Sequence, residues 1–196
     1  MTLTELRQEV YTLTNRPALV AETLTAIRSA TLAIHQSDYF YKDLFETGVS
    51  FLAPAFTQQI DYRSLIPKWR AFKYLRKTDS TGQEQGQVYR VITPEEILDQ
   101  YQTNQTDVCY VAGSVIQIRS ATELQYAMLG CYVHPDVTEA GFTSWVADDH
   151  PYAIVFAAAA TVFKMIGDTE KFAAYTQLAN MQLQEVKLSN IQAYGY

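Results

Sequence analysis

The chain has two cysteines, three histidines, eight glycines and six prolines in 196 residues, and only 18% of it is charged. Each shortage excludes something. Cys109 and Cys131 sit in apolar, strand-like runs with no neighbouring ligand pairs, so a zinc site of Cys pairs is excluded and two buried free thiols are expected rather than a disulfide. Basic residues are outnumbered, 15 against 21, for a net charge of −6, so free nucleic acid is not the default partner. Long apolar runs are missing: the longest, Tyr152 to Phe163, falls far short of the ~20 residues a membrane span needs. The opening Met-Thr-Leu-Thr-Glu-Leu reads as an amphipathic helix and not as the apolar core of a leader. A Gly-rich phosphate loop, Gly-x-Ser-x-Gly, His-Glu-x-x-His and Cys-x-x-Cys are all missing, and nothing in the sequence visibly pairs a nucleophile with a base. A non-enzymatic protein with no metal and no cofactor is the expectation.

What is abundant is tyrosine, at 14 residues. Tyrosine packs its ring while its hydroxyl stays wet, which suits interfaces and β-rich cores alike. The length favours one domain with a core large enough to need no staples. Helical periodicity and strand-like runs alternate in blocks: residues 1–38 helical, 39–145 mainly β with a short helix near 94–101, 146–190 a helical hairpin, and 191–196 a tail. The fold class is therefore α+β, with helices packed on an antiparallel β meander.

Within the blocks, Thr2-x-x-Glu5 has capping-box spacing and opens a first helix to about Tyr11. Asn15-Arg16-Pro17 breaks it and starts a second, with Val20, Leu24, Ile27, Thr31 and Ile34 as its stripe. Tyr39–Tyr41 and Phe45–Phe51 read as strands ended by Pro54, and Tyr62–Lys77 as extended. Thr78–Gln87 reads as a long polar loop. Val88–Ile92 is a strand, and Thr93-Pro94-Glu95-Glu96 opens the short helix. Val108–Val111 and Val115–Arg119 form a hairpin around Ala112-Gly113-Ser114, with one wet face at Gln117 and Arg119. Gln125–Val133 is a further strand.

The final hairpin organises the chain. Pro151 suits a first helical turn, with Asp148 and Asp149 before it as caps. Tyr152, Val155, Phe156, Ala159, Phe163 and Ile166 share a face, Gly167 stops the helix and Asp168 caps the next. There Phe172, Tyr175, Ala179, Leu183 and Val186 recur at spacings of three and four. Ala157–Ala160 let another backbone come close, and the strands are the expected surface for the hairpin to cover.

Few constellations suggest chemistry. Asp148-Asp149-His150, with His134 near in sequence, could hold a divalent ion or work as acid and base, but helix capping explains the same residues. His35, at a helix end, reads as structural. Arg63, Lys68, Arg70, Lys73, Arg76 and Lys77, interleaved with Trp69, Phe72 and Tyr74, could meet phosphates and bases, but a strand with a solvated rim or a patch meeting an acidic neighbour subunit explains them as well.

The order of elements resembles the head-to-tail adaptor (connector, or head completion) proteins of tailed bacteriophages. An amphipathic helix leads into Tyr-Phe-Tyr-Lys-Asp-Leu-Phe (39–45). Leu-Ile-Pro-Lys-Trp-Arg (65–70), a variable loop and Val-Ile-Thr-Pro-Glu-Glu-Ile-Leu (91–98) follow. Ile116-Gln117-Ile118-Arg119 comes after the Gly113 turn, and Ser144-Trp145 precedes Asp-Asp-His-Pro and the alanine-rich hairpin. The resemblance implies a structural virion protein of the phage neck, made in the host cytoplasm. It implies a ring, usually of twelve copies, that joins the portal protein to a tail or nozzle protein. DNA would pass the acidic lumen during genome ejection without specific binding, and no membrane is involved. Candidate subunit or portal contacts are Tyr152, Phe156, Phe163, Phe172, Tyr175, Ile191, Tyr194 and Tyr196. The alternatives are a tail terminator or other neck or tail-completion protein and, further off, a metal-dependent enzyme.

Overall fold

Thr2 caps the first helix. Its hydroxyl accepts from Glu5 N–H at 3.3 Å, while the Glu5 carboxylate accepts from Thr2 N–H at 2.7 Å, so the predicted capping box is complete. The computed structural model describes residues 1–97 and 105–193. In chain order the elements are α1 (Leu3–Thr14), α2 (Val20–Gln36), β1 (Leu44–Asp61), α3 (Tyr62–Leu65), β2 (Trp69–Thr78), β3 (Glu84–Val88) and β4 (Arg90–Val91). Then come β5 (Val108–Ala112), β6 (Val115–Val133), α4 (Trp145–Asp149), α5 (Pro151–Met165) and α6 (Thr169–Ala193). The protein is α+β. Its contacts divide it into two compact units, Met1–Asp43 with His134–Tyr196, and Leu44–Val133.

The helical unit is built around α5. Ala153, Ile154, Val155, Ala158, Ala159 and Val162 are all buried, which takes in more than one face of the helix. A helix apolar nearly all round belongs at the centre of a bundle. Accordingly α5 packs against α1, α2 and α6. The single predicted face was too narrow, because Ala153, Ile154, Ala158 and Val162 off it are buried, and its end residues Tyr152 and Ile166 are exposed. α2 is likewise buried through Thr23, Ala26 and Ala30 as well as Ile27, Thr31 and Ile34, and its predicted first stripe residue, Val20, is exposed. Each fully buried aliphatic contributes about 1.5–3 kcal/mol. Gly167, at φ +81°, ends α5 as predicted, and Asp168 accepts from Lys171 N–H at the start of α6. Phe172, Tyr175, Ala179 and Leu183 are half-buried and Val186 fully buried along α6, matching the predicted stripe.

Two corrections concern loops and caps. Asp148 and Asp149 do not cap α5. They belong to α4, which Ser144 caps through Ala147 N–H, and α5 starts at Pro151 with no side-chain cap. Tyr39–Tyr41 is not a strand: Phe40 is buried in the helical core and Tyr41–Asp43 makes a 3-10 turn.

The β unit is organised by β6, which is one strand of 19 residues where two were expected. Along its length it pairs antiparallel with β1. On its other side it pairs with β5 near its start and with β2 near its end. β3 joins β2, and β4 joins β5 in parallel, so the sheet is mixed rather than purely antiparallel. Only Tyr89 separates β3 from β4, and it turns the corner with its ring buried and its hydroxyl on Ser120 Oγ at 2.9 Å. The register of β1 against β6 shifts between Ser50 and Thr57. One core, including Ile60, Leu75, Tyr89, Ile116, Ile118 and Leu129, fills the space enclosed.

Pro54 does not end β1. It falls in the bulged stretch, where a missing N–H breaks no ladder. The predicted loop at Thr78–Gln87 is a hairpin whose return strand is β3. Its turn is tied by the Asp79 carboxylate, which accepts from Thr81 N–H, Thr81 Oγ1–H and Gln83 N–H and is held below the usual carboxylate range chiefly by the Thr81 hydroxyl. Tyr62–Lys77 begins as the one-turn α3 and only then becomes β2. The β5–β6 hairpin turns at Gly113, as the sequence predicts, but Ala112 belongs to β5 and pairs with Val115, so the turn is the two-residue Gly113-Ser114, with Gly113 at φ +63°. The short helix is a 3-10 turn over Pro94–Ile97, and its predicted extension to Tyr101 lies outside the described residues.

Gly130 shows how tightly one sheet face is closed. A β-carbon there would stand 2.5 Å from the Tyr74 ring, which lies across the glycine, with the Arg76 guanidinium 4.4 Å from the ring centroid. Gly130→Val is expected to lower stability by about 1–3 kcal/mol through overpacking, read from the urea midpoint at constant m. An unchanged midpoint would mean that the ring swings away freely.

Candidate functional site

The helical unit holds a buried polar cluster that the sequence did not announce. His35, on the last turn of α2, is 1% exposed, with Nδ1 2.7 Å from Asp43 Oδ1 and Nε2 2.9 Å from Ser144 Oγ. Trp145 Nε1–H donates to the same Asp43 oxygen at 2.7 Å, and its ring meets His35 edge-on. An ionised carboxylate only accepts, which puts a proton on Nδ1. Ser144 Oγ accepts from Ala147 N–H, leaving its own proton for Nε2.

A hydroxyl, an imidazole and an aspartate in line have the connectivity of a nucleophilic triad, so the expectation that nothing pairs a nucleophile with a base is overturned as geometry. The surroundings decide what the line does. Ser144 is 8% exposed and Asp43 4%, and the Ser144 hydroxyl also caps α4 through Ala147 N–H. The cluster joins α2, the 3-10 turn and α4. His35 is structural, as the sequence implied, but through Asp43 and Ser144 and not through the helix dipole. Sequence separations of 8 and 109 residues hid the set. The available signal was the place of His35 beside Ile34 on the buried side of α2.

The predicted Asp148-Asp149-His150 set does not converge. Asp148 accepts from the Met1 ammonium at 3.1 Å, and Met1 also donates to Ala147 O at 2.6 Å. Asp149 pairs with Lys42, whose pKa is raised chiefly by that carboxylate. His150 Nε2 lies 3.3 Å from Ser189 Oγ, on α6. Among the described residues no three His, Cys, Asp or Glu side chains gather as a metal set, and His134 joins none. Both thiols are buried and free, and burial pushes Cys109 up to about 12 and Cys131 to about 11.

No protein-family model and no curated protein matches the chain.

Of the aromatic contact candidates, Phe163 is 1% exposed and stacks near Tyr175 at 5.1 Å, while Phe156 bridges Tyr152 at 5.5 Å and Tyr175 at 6.1 Å. These rings, with half-buried Phe172, fill the α5–α6 seam. Tyr152 and Ile191 remain exposed, while Tyr194 and Tyr196 lie outside the described residues. Near Ile191, Asn190 is buried and accepts from Tyr41 N–H at 3.0 Å, which pins this end of α6.

The basic stretch lies on α3, on β2 and, at Lys68, on the short link between them. Trp69 and Phe72 pack on the β core, Trp69 stacking on Tyr62 at 4.2 Å. Tyr74 lies between Gly130 and Arg76, and Lys73 sits 5.8 Å from the Tyr132 ring centroid. Lys77 donates to Thr122 Oγ1 and Glu123 O. The aromatic faces that stacked bases would need are occupied by this chain's own side chains.

A different surface stands out on α6. Between Lys171 and Glu185 the helix carries no charged residue. Its outward side there bears Ala173, Gln177, Leu178, Asn180, Met181 and Gln184, all exposed.

Proposed function

We propose that this chain is a structural virion protein: the subunit of a homo-oligomeric head-to-tail adaptor ring that joins a phage portal to its tail and surrounds the path of the DNA. The observation that carries the reading is the outward side of α6. A solvated helix face is normally charged, and interface cores are depleted of charge and enriched in methionine. Thirteen consecutive residues without a charge, Phe172–Gln184, with Leu178 39% and Met181 57% exposed, fit a helix pressed against a neighbour. The helical unit carries 12 acidic against 7 basic residues, a net −5, which suits a wall that phosphate must slide past. The buried, capped Ser144 supports a role without catalysis.

The test is to mix the purified chain with purified portal rings and weigh the product by native mass spectrometry. The expected result is a stoichiometric ring complex, weakened by Met181→Lys with no change in the fold. A chain that ignores portal rings and binds tail tubes instead would overturn the adaptor assignment in favour of a tail terminator.

A further inference from the structure

β1 is the long strand of the sheet with a single neighbour. Among the described residues it pairs with β6 alone, so along Leu44–Asp61 one edge presents main-chain N–H and C=O groups with no strand beside them. Such edges recruit other strands, and proteins blunt them with brevity, bulges or charge. The other edges of this sheet are blunted. β4 has two residues, and β3 has five, interrupted by Gly86 at φ +107°. β1 has 18 residues, no Lys or Arg, and no charge between Glu46 and Asp61. Its register with β6 stays regular from Leu44 to Ser50 and shifts beyond it, so the unblunted part of the edge is this first stretch and Phe51 and Leu52 stand where the bulged part begins. Phe45 is 44% exposed, and Leu52 is wholly so.

The sequence of this edge says what fits it. Leu44-Phe45-Glu46-Thr47-Gly48-Val49-Ser50-Phe51-Leu52 reads alike from either end. Leu matches Leu, Phe matches Phe, polar Glu46 matches Ser50, and β-branched Thr47 matches Val49 about a central glycine. A foreign strand requires no such symmetry. Two identical strands running antiparallel about a two-fold axis do, because each residue then meets its mirror position in the copy. Residues opposite one another share a sheet face, so Phe45 meets the copy's Phe51, and exposed Leu52 is covered by the copy's Leu44. Glu46 meets Ser50, which keeps the two carboxylates from facing each other.

We propose that two copies of this chain pair along the free edge of β1, antiparallel, with the two-fold axis at Gly48. The contact rests on β1 alone. A two-fold pair cannot by itself close a ring, so this inference and the adaptor assignment stand or fall separately.

The experiment uses the full chain. A β-carbon at Gly48 meets nothing within 4 Å, so Gly48→Cys leaves the fold intact, and the buried Cys109 and Cys131 give no background linkage. Under mild oxidation Gly48→Cys is expected to form a covalent dimer, while Ser50→Cys, whose opposite residue is the copy's Glu46, is not. In sedimentation velocity the wild type is expected to double in mass as concentration rises. Leu52→Lys, at a fully exposed position, is expected to weaken that association about tenfold or more. A wild type that stays monomeric at its highest soluble concentration overturns the proposal. So does a dimer that Leu52→Lys leaves untouched, or one in which Ser50→Cys links as readily as Gly48→Cys.

Discussion

Replacing Asp43 by alanine is expected to destabilise the helical unit by about 3–5 kcal/mol, the cost of removing one partner from a buried charge-assisted set. The Asp43 carboxylate is 4% exposed and receives His35 Nδ1 and Trp145 Nε1, each at 2.7 Å. Alanine leaves the buried His35 Nδ1 unmatched, at about 1–3 kcal/mol, and removes the acceptor of half-buried Trp145 as well. It also frees the imidazole that holds Ser144. Asp43→Asn keeps an acceptor oxygen for one donor and is expected to cost less. Trp145 reports directly on the cluster, and Trp69 lies in the β unit. Urea unfolding followed by fluorescence in a Trp69→Phe background therefore isolates the effect. A loss below about 1 kcal/mol for the alanine variant would mean that water reaches the site and that the cluster is not the clasp described.

That cluster marks the limit of what could be read in advance. Local grammar was legible wherever one residue's chemistry fixes its own backbone. The Thr2 box, Pro151 at a first turn, Gly167 and Asp168 between the last two helices, and the Gly113-Ser114 turn all depend on atoms within about five residues. The α6 stripe and the two buried thiols were legible for the same reason, since periodicity and apolar surroundings are local. Asp148 and Asp149 misled because a carboxylate before a proline has a good local use, while its actual partners, Met1 and Lys42, lie 147 and 107 residues away. β6 reads as two strands because polar Ser120–Glu123 resembles a break, although only a shift of register against β1 occurs there. β3 was missed because its residues, Glu84-Gln85-Gly86-Gln87-Val88, lack strand composition, and pairing with β2 imposes the conformation. The self-matching edge of β1 was visible in the letters, but it acquires meaning only once that edge is known to have no strand beside it.

Truncating Leu129 to alanine is the second large effect expected, at about 2–5 kcal/mol. Leu129 is fully buried near the end of β6, paired with Thr47 of β1 on one side and Leu75 of β2 on the other. Strand neighbours on both sides hold the backbone in register, so the walls cannot collapse into the space left, and the cavity term stays near its upper range. Leu129→Met, which keeps the volume, is expected to cost less than about 1.5 kcal/mol. Leu52→Ala, at an exposed position on the same sheet, should stay within about 0.5 kcal/mol in dilute solution. Urea midpoints read through Trp69, which packs on the same core, rank the three variants. The order alanine at 129, then methionine at 129, then alanine at 52 follows from a sheet that closes around β6. A Leu129→Ala loss no larger than that of Leu52→Ala would mean that β6 is not the strand on which the β unit is built.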